Sequence, residues 1–347
     1  MKNVVQVKNI KIGGGAPVSV QSMTNTPTSD AAATLAQVRA LSAAGCDIVR
    51  VAVTNAAEAD ACAALIKESP APLVADIQFD YRLAVRCADI GFNKIRFNPG
   101  NIGSEKNVAE LVSACKANGV PIRVGVNGGS LEKDILNEFG GATAEALVKS
   151  ALRHAAILEK SGFYNTVLSV KSSSVKTTIA ANRLLDKACD YPLHIGVTES
   201  GAFDEGLAKS AVGIGALLLD GIGDTVRVSL SGDPVKEVAA ATSILRAADL
   251  GGDYCEIVSC PTCSRCKYDM MSVLQAVRAE TAGIKKRLKI AVMGCAVNGP
   301  GEARDADIGV AGGEGRAAVF KNGKVLFTTD FDGVIPALKK LIAEFTD

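Results

Sequence analysis

The chain has 347 residues, 48% hydrophobic and 22% charged, a composition that suits a globular protein with a large core and excludes disordered and fibrous classes. Lysine and arginine number 38 against 37 acids, so the net charge of +1 gives no general field for nucleic acid or an anionic membrane, and any basic site must be local. Ten phenylalanines, five tyrosines and no tryptophan leave few stacking platforms, which argues against single-stranded nucleic acid or sugar as the main ligand.

The N-terminal MKNVVQVKNIKIGGG lacks an apolar stretch of signal-peptide length, and no run approaches the roughly 20 apolar residues of a membrane span. A cytoplasmic location without membrane contact is expected, where the ten cysteines are thiols or metal ligands rather than a disulfide framework. Short β-branched runs then recur at 18–24, 47–53, 73–79, 94–99, 122–127, 165–170, 193–198 and 225–230. Between them lie Ala/Leu-rich segments at helical spacing, such as 30–44, 105–118, 144–160 and 175–188, several followed by glycine, as at Gly45, Gly91, Gly119 and Gly162. Eight strand–helix units in about 250 residues predict an α/β protein built on a TIM (β/α)8 barrel over residues 1–250. After the helix at 233–250, Gly251-Gly252 marks the boundary to a small α+β domain over 251–347. This second domain should hold a strand at 254–259, a helix near 269–282, a strand at 288–293, a glycine-linked hairpin within 307–329 and a final helix at 333–345.

Arg50, Arg96, Arg123 and Arg227 each sit inside an expected strand, and Lys171 follows the sixth directly. A buried cation without a partner costs several kcal/mol, so the set points to an anion that meets them. Asp76, Asn127, Lys171 and Glu199 fall at or just after strand C-termini, where TIM-barrel sites gather. Arginine forks match phosphate oxygens, and Ser172-Ser173-Ser174 could add a helix N-terminus, so a diphosphate-sized anion is the expected guest. His154 and His194 read as structural, the latter at the far end of the barrel, which leaves Glu199 as the best general acid or base.

The strongest chemical signal is SCPTCSRC at 259–266, with Cys260, Cys263 and Cys266 at two-residue intervals and Cys295 in MGCAVNGPGEA further on. Such spacing lets thiolates converge on one metal centre, zinc or an iron–sulfur cluster. The turn Asn298 to Gly301 could also swing the Glu302 carboxylate beside Cys295, offering one exchangeable ligand. Cys46, Cys62, Cys87, Cys115, Cys189 and Cys255 read as packing residues.

The segments VQSMTNT (20–26), IVRVAV (48–53), VADIQFDYRLA (74–84), IRFNPGNIG (95–103), PIRVGVNGGSL (121–131), HIGVTESGA (194–202), VRVSLSGDP (226–234) and both cysteine motifs resemble, in order, the 4-hydroxy-3-methylbut-2-enyl diphosphate synthase family of bacterial two-domain type. The resemblance implies reductive ring opening of 2-C-methyl-D-erythritol 2,4-cyclodiphosphate to 4-hydroxy-3-methylbut-2-enyl diphosphate. Electrons would come from flavodoxin or ferredoxin through a 4Fe–4S cluster. It assigns the diphosphate to Arg50, Arg96, Arg123 and Lys171, with Asn127 and Ser229 nearby, and the essential acid to Glu199. Cluster ligands would be Cys260, Cys263, Cys295 and Glu302. It further implies a homodimer in which the cluster domain of one chain closes over the barrel mouth of the other. Two positions depart from the family pattern: Cys266, usually a non-ligating residue, and Gln78, usually histidine. The rival readings are a zinc-stapled TIM-barrel transferase or lyase acting on a phosphorylated substrate, and an electron carrier or redox sensor, which leaves the buried cations unused.

Overall fold

An antiparallel hairpin that the sequence did not announce opens the chain, β1 (Val5–Val7) pairing with β2 (Ile10–Ile12). The structure is a computed structural model that describes residues 2–98, 104–284, 286–295, 301 and 303–346. It divides into two compact units, Met1–Gly251 and Gly252–Asp347.

In the first unit all eight expected strands form: β3 (Ser19–Met23), β4 (Ile48–Ala52), β5 (Leu73–Asp76), β6 (Lys94–Arg96), β7 (Ile122–Asn127), β8 (Thr166–Lys171), β9 (His194–Ile195) and β10 (Thr225–Val226). They pair in parallel in the order β8-β7-β6-β5-β4-β3-β10-β9, and a parallel bridge from Leu168 to Leu193 closes the ring. The helices are α1 (Ala31–Ala43), α2 (Ala56–Glu68), α3 (Tyr81–Asp89), α4 (Glu105–Ala117), α5 (Lys133–Phe139), α6 (Ala144–Lys160), α7 (Val175–Ala188), α8 (Phe203–Leu219) and α9 (Pro234–Ala247). All except α5 and α8 open on Asp, Asn, Ser or Thr, whose side chain accepts an otherwise unpaired backbone N–H of the first turn. The main core lies between strands and helices, and four of the isolated cysteines, Cys46, Cys62, Cys87 and Cys115, are buried in it. Burial pushes the thiols of Cys46, Cys62 and Cys115 up to about 12, so they behave as small apolar groups.

The barrel interior changes character along its axis. At the N-terminal end of the strands, Val5, Val7 and Ile12 of the hairpin pack with Ile48, Val74 and Val167 as an apolar plug. Beyond the plug the interior turns polar, and at the strand C-termini it is a ring of cations.

The second unit has a five-stranded sheet, β11 (Cys255–Ser259), β12 (Leu288–Met293), β13 (Ile308–Gly312), β14 (Ala317–Lys321) and β15 (Lys324–Thr329), in that order. The expected single hairpin over 307–329 is in fact three strands. β13 runs parallel to β12, and only β14 and β15 continue antiparallel from it. Two helices, α10 (Met270–Thr281) and α11 (Val334–Thr346), supply Met270, Val273, Val277, Val334 and Leu338 to a core with the sheet residues Ile290, Val292, Val310 and Val319. No helix among the described residues is long and apolar enough to cross a membrane.

Candidate active site

Successive strand residues place side chains alternately in and out of a barrel, so residues two apart share the interior. That rule brings Arg50, Asp76, Arg96, Arg123, Asn127, Lys171, Arg227 and Ser229 around one cavity of about 190 Å³, together with Gln78, Asn98, Ser130 and Thr198. All eight residues expected at the substrate site therefore meet. Arg227 and Ser229 do so from just beyond β10, which is shorter than expected.

Asp76 organises the ring. Its carboxylate takes Arg96 Nη1 at 3.1 Å and faces Arg50 Nε at 3.8 Å. Burial pushes this carboxyl up, but the guanidiniums of Arg50, Arg96 and Arg123 outweigh it and hold the group below the ordinary carboxylate range. Arg96 Nη2 also donates to the Gly125 carbonyl at 3.1 Å, and Gly125 N–H donates to Asn98 Oδ1 at 2.9 Å. A Cβ at Gly125 would stand 2.8 Å from Arg123 Nη1 and 3.0 Å from Arg96 Nε, so only glycine lets both guanidiniums lie over this strand. Arg227 reaches Glu237, a buried carboxylate that also binds the Ser22 hydroxyl.

The remaining donors are in excess. Arg123 Nε and Nη2, Arg96 Nε and Arg227 Nε are buried with no hydrogen-bond partner among the described residues. Burial, and then the neighbouring guanidiniums, push Lys171 well below its ordinary range. Buried, unpaired N–H groups in this number are costly, and an anion with several oxygens would satisfy them together.

Other expectations fare differently. Glu199 follows Thr198 but does not line the cavity; it is exposed, with a left-handed backbone at φ 52° that costs a non-glycine residue roughly 1–3 kcal/mol. Ser172-Ser173-Ser174 offers no free helix N-terminus, because Ser174 caps α7 by accepting Thr177 N–H, and none of the three lines the cavity. His154 is structural: its Nε2 lies 3.3 Å from Glu132 Oε1, and Ser150 donates to the other oxygen of that carboxylate. His194 opens β9, below the cation ring at the strand C-termini. It stands fully buried inside the barrel, close enough to feel the field of Lys171 and Arg123. Lys94 and Gln21, buried beside each other below the ring, were missed by sequence reasoning. The signal was the i−2 position of Lys94 relative to Arg96.

In the second unit all the cysteines are free thiols. Cys260 and Cys266 converge on Gly294, where a Cβ would meet their sulfurs at 3.5 and 2.8 Å. Gly294 N–H donates to Cys260 Sγ at 3.1 Å, whereas Cys266 donates its S–H to the Tyr268 carbonyl at 3.3 Å. Cys263 is exposed, and backbone and side-chain hydrogen bonds from Arg265 lower its thiol below the ordinary value. Soft thiolates with a backbone N–H aimed at sulfur are the donor chemistry of an iron–sulfur cluster, so these residues fit one. No three potential ligands are gathered into a metal site among the described residues. Glu302 and the turn Asn298 to Pro300 lie outside those residues.

Comparison with known proteins matches residues 2–242 to the GcpE TIM-barrel domain and 256–344 to the GcpE protein C-terminal domain. The chain is 51% identical over 344 residues to a 4-hydroxy-3-methylbut-2-en-1-yl diphosphate synthase (flavodoxin) of Geobacter sulfurreducens, covering 98% of each. It is 53% identical over 321 residues to the same-named protein of Caldanaerobacter subterraneus subsp. tengcongensis, covering 92% of this chain and 90% of that one. Among solved structures, an N-acetylneuraminic acid synthetase of Leptospira borgpetersenii superposes with a TM-score of 0.52 at 13% identity, covering 82% of this chain and 98% of that one. At that identity the likeness is one of fold alone.

Proposed function

The chain belongs to the GcpE family, and from that premise we propose that it is the reductive synthase that converts 2-C-methyl-D-erythritol 2,4-cyclodiphosphate to 4-hydroxy-3-methylbut-2-enyl diphosphate, with flavodoxin as the electron donor. The balance is simple: two electrons and two protons enter, the ring C–O bond to phosphate and the C–OH bond are lost, and one water leaves. The observation that carries this reading from the structure's side is the cation ring. Arg50, Arg96, Arg123 and Lys171 with Asn127 and Ser229 surround one cavity, with more donors than the protein itself can satisfy.

In this reading the guanidinium forks grip the two phosphate groups and neutralise the charge that appears when the ring opens. Asp76 keeps Arg50 and Arg96 oriented, so that little reorganisation accompanies binding. Glu199, exposed just after β9 and outside the cavity lining, is the proposed source of the proton that leaves with the hydroxyl. Cys260, Cys263, Cys295 and Glu302 would hold a 4Fe–4S cluster; Cys266, whose S–H is given to a carbonyl, would not be a ligand. When bound, the cluster carries electrons one at a time. A homodimer, as the family resemblance implies, completes the proposal. The test is anaerobic turnover of the cyclodiphosphate with reduced flavodoxin. Product formation in the wild type that is lost in Glu199→Ala supports the assignment, and full turnover in Glu199→Ala removes the proposed acid.

A further inference from the structure

The interior of a (β/α)8 barrel is ordinarily filled by branched apolar side chains. Here the layer directly beneath the cation ring contains Lys94, Gln21, His194 and Thr225, each with 1% exposure or less. Lys94 lies on β6 two residues before Arg96 and reaches across the barrel to Gln21 on β3. Its Nζ donates to Gln21 Oε1 at 3.3 Å, the only hydrogen bond it makes among the described residues. Gln21 Nε2, Thr225 Oγ1 and both ring nitrogens of His194 have no partner among those residues.

No carboxylate is available to Lys94 among the described residues. Asp76 is engaged by Arg96 and Arg50, and Glu237 by Arg227 and the Ser22 hydroxyl. The groups that face Lys94 are basic: Arg50 and Arg123 act on it directly and Arg96, Lys171 and Arg227 complete the ring above, while burial, and then Lys171 and Arg123, push His194, beside it, well below its ordinary range. Six basic side chains against two carboxylates leave a large uncompensated positive charge in a medium of low polarity, which a fold avoids wherever a proton can leave. Guanidiniums do not shed protons in proteins, whereas buried amines do. Burial first, and then Arg123 and Arg50, push Lys94 well below its ordinary range.

We infer that Lys94 is a positioning residue of the anion site that binds a proton when a diphosphate group enters the cavity above it, so that anion binding and proton uptake are one coupled event. The inference rests on the reading of that cavity as a diphosphate site. The arriving negative charge reverses the balance that kept Lys94 neutral, and the new ammonium in turn draws the anion down onto Arg123 and Arg50. Affinity therefore falls as pH rises through the range in which the ligand-free protein has lost this proton.

The test is calorimetric titration of pyrophosphate into the full-length, iron-loaded protein near neutral pH, in two phosphate-free buffers of different ionisation enthalpy. The difference in heat counts protons, and the titration of pyrophosphate itself cancels between variants. Lys94→Met is never charged and Lys94→Arg is always charged, yet both should take up about one proton fewer than the wild type, with Lys94→Met also binding about tenfold more weakly. Gln21→Glu, which gives Lys94 a carboxylate and keeps it protonated throughout, should lose the same proton and serves if the Lys94 variants do not fold. A spacer role would move melting temperatures and leave the proton count alone. A wild type without proton uptake, or a folded variant with the wild-type count, overturns the role of Lys94. Absence of any pyrophosphate binding overturns the diphosphate site itself.

Discussion

The two units carry their chemistry on different kinds of backbone. In the barrel, Arg50, Asp76, Arg96, Arg123 and Lys171 lie inside strands, so the closure of the sheet sets their positions. In the C-terminal unit Cys260, Cys263 and Cys266 lie on the loop between β11 and α10, and Cys295 follows the end of β12. Strand-borne groups are preorganised, but the fold must tolerate cations it cannot pair. Loop-borne thiols cost the fold little, and a bound metal centre supplies their ordering energy itself. The first arrangement suits recognition of a fixed anion and the second suits a group inserted after folding.

The largest consequence concerns Arg123, buried and with two unpaired nitrogens. Arg123→Met should weaken pyrophosphate binding by about 100-fold. It should also stabilise the ligand-free protein by about 1–4 kcal/mol, because an uncompensated charge gives way to an apolar side chain of similar size. Calorimetry and thermal melting read the two effects, and a fall in stability would break the account of a strained ring.

Cys263→Ser sharpens the contrast from the other side. Iron content should fall severalfold while pyrophosphate affinity stays within about twofold of wild type, as befits a loop site with no part in assembling the barrel cavity. Gly125→Ala is the milder barrel counterpart. The added methyl displaces the Arg96 and Arg123 guanidiniums, which should reduce pyrophosphate affinity about tenfold and cost about 1–3 kcal/mol in urea unfolding.

The smallest effect is on acid stability. Because Asp76 has a lower value in the folded than in the unfolded chain, its contribution is fully present above the ordinary carboxylate value and is lost as pH falls through its folded value. Denaturation curves of Asp76→Asn should be flatter over that acid window than those of wild type.

The barrel was legible because eight β-branched runs alternate with capped helices. Its site was legible because an arginine inside an apolar strand needs an anion or a carboxylate to meet it, and five cations in such contexts outnumber the acids nearby. The hairpin of β1 and β2 was missed, since six short residues alternating around Lys8-Asn9 carry little pattern until one sees that Val5, Val7 and Ile12 plug the barrel. The polar layer was missed for a different reason. Lys94 opens the expected strand at 94–99 and reads there as an ordinary strand-end lysine, and only closure of the ring turns it inward against Gln21. Ser172 to Ser174 misled because a serine run before a helix is equally a cap, which is the role Ser174 takes. In the C-terminal unit, spacing identified the thiols but not which of them serve as ligands. Two-residue spacing is compatible with Cys266 as well as with Cys260 and Cys263, so it does not separate them.

The account stands or falls on what the loop thiols hold. The deciding measurement is anaerobic: iron and sulfide counted together with visible absorption in the wild type, Cys266→Ser and Glu302→Ala. The account predicts about four irons per chain, retained in Cys266→Ser and altered in Glu302→Ala. A colourless, zinc-containing protein that also resists reconstitution with iron and sulfide would contradict it.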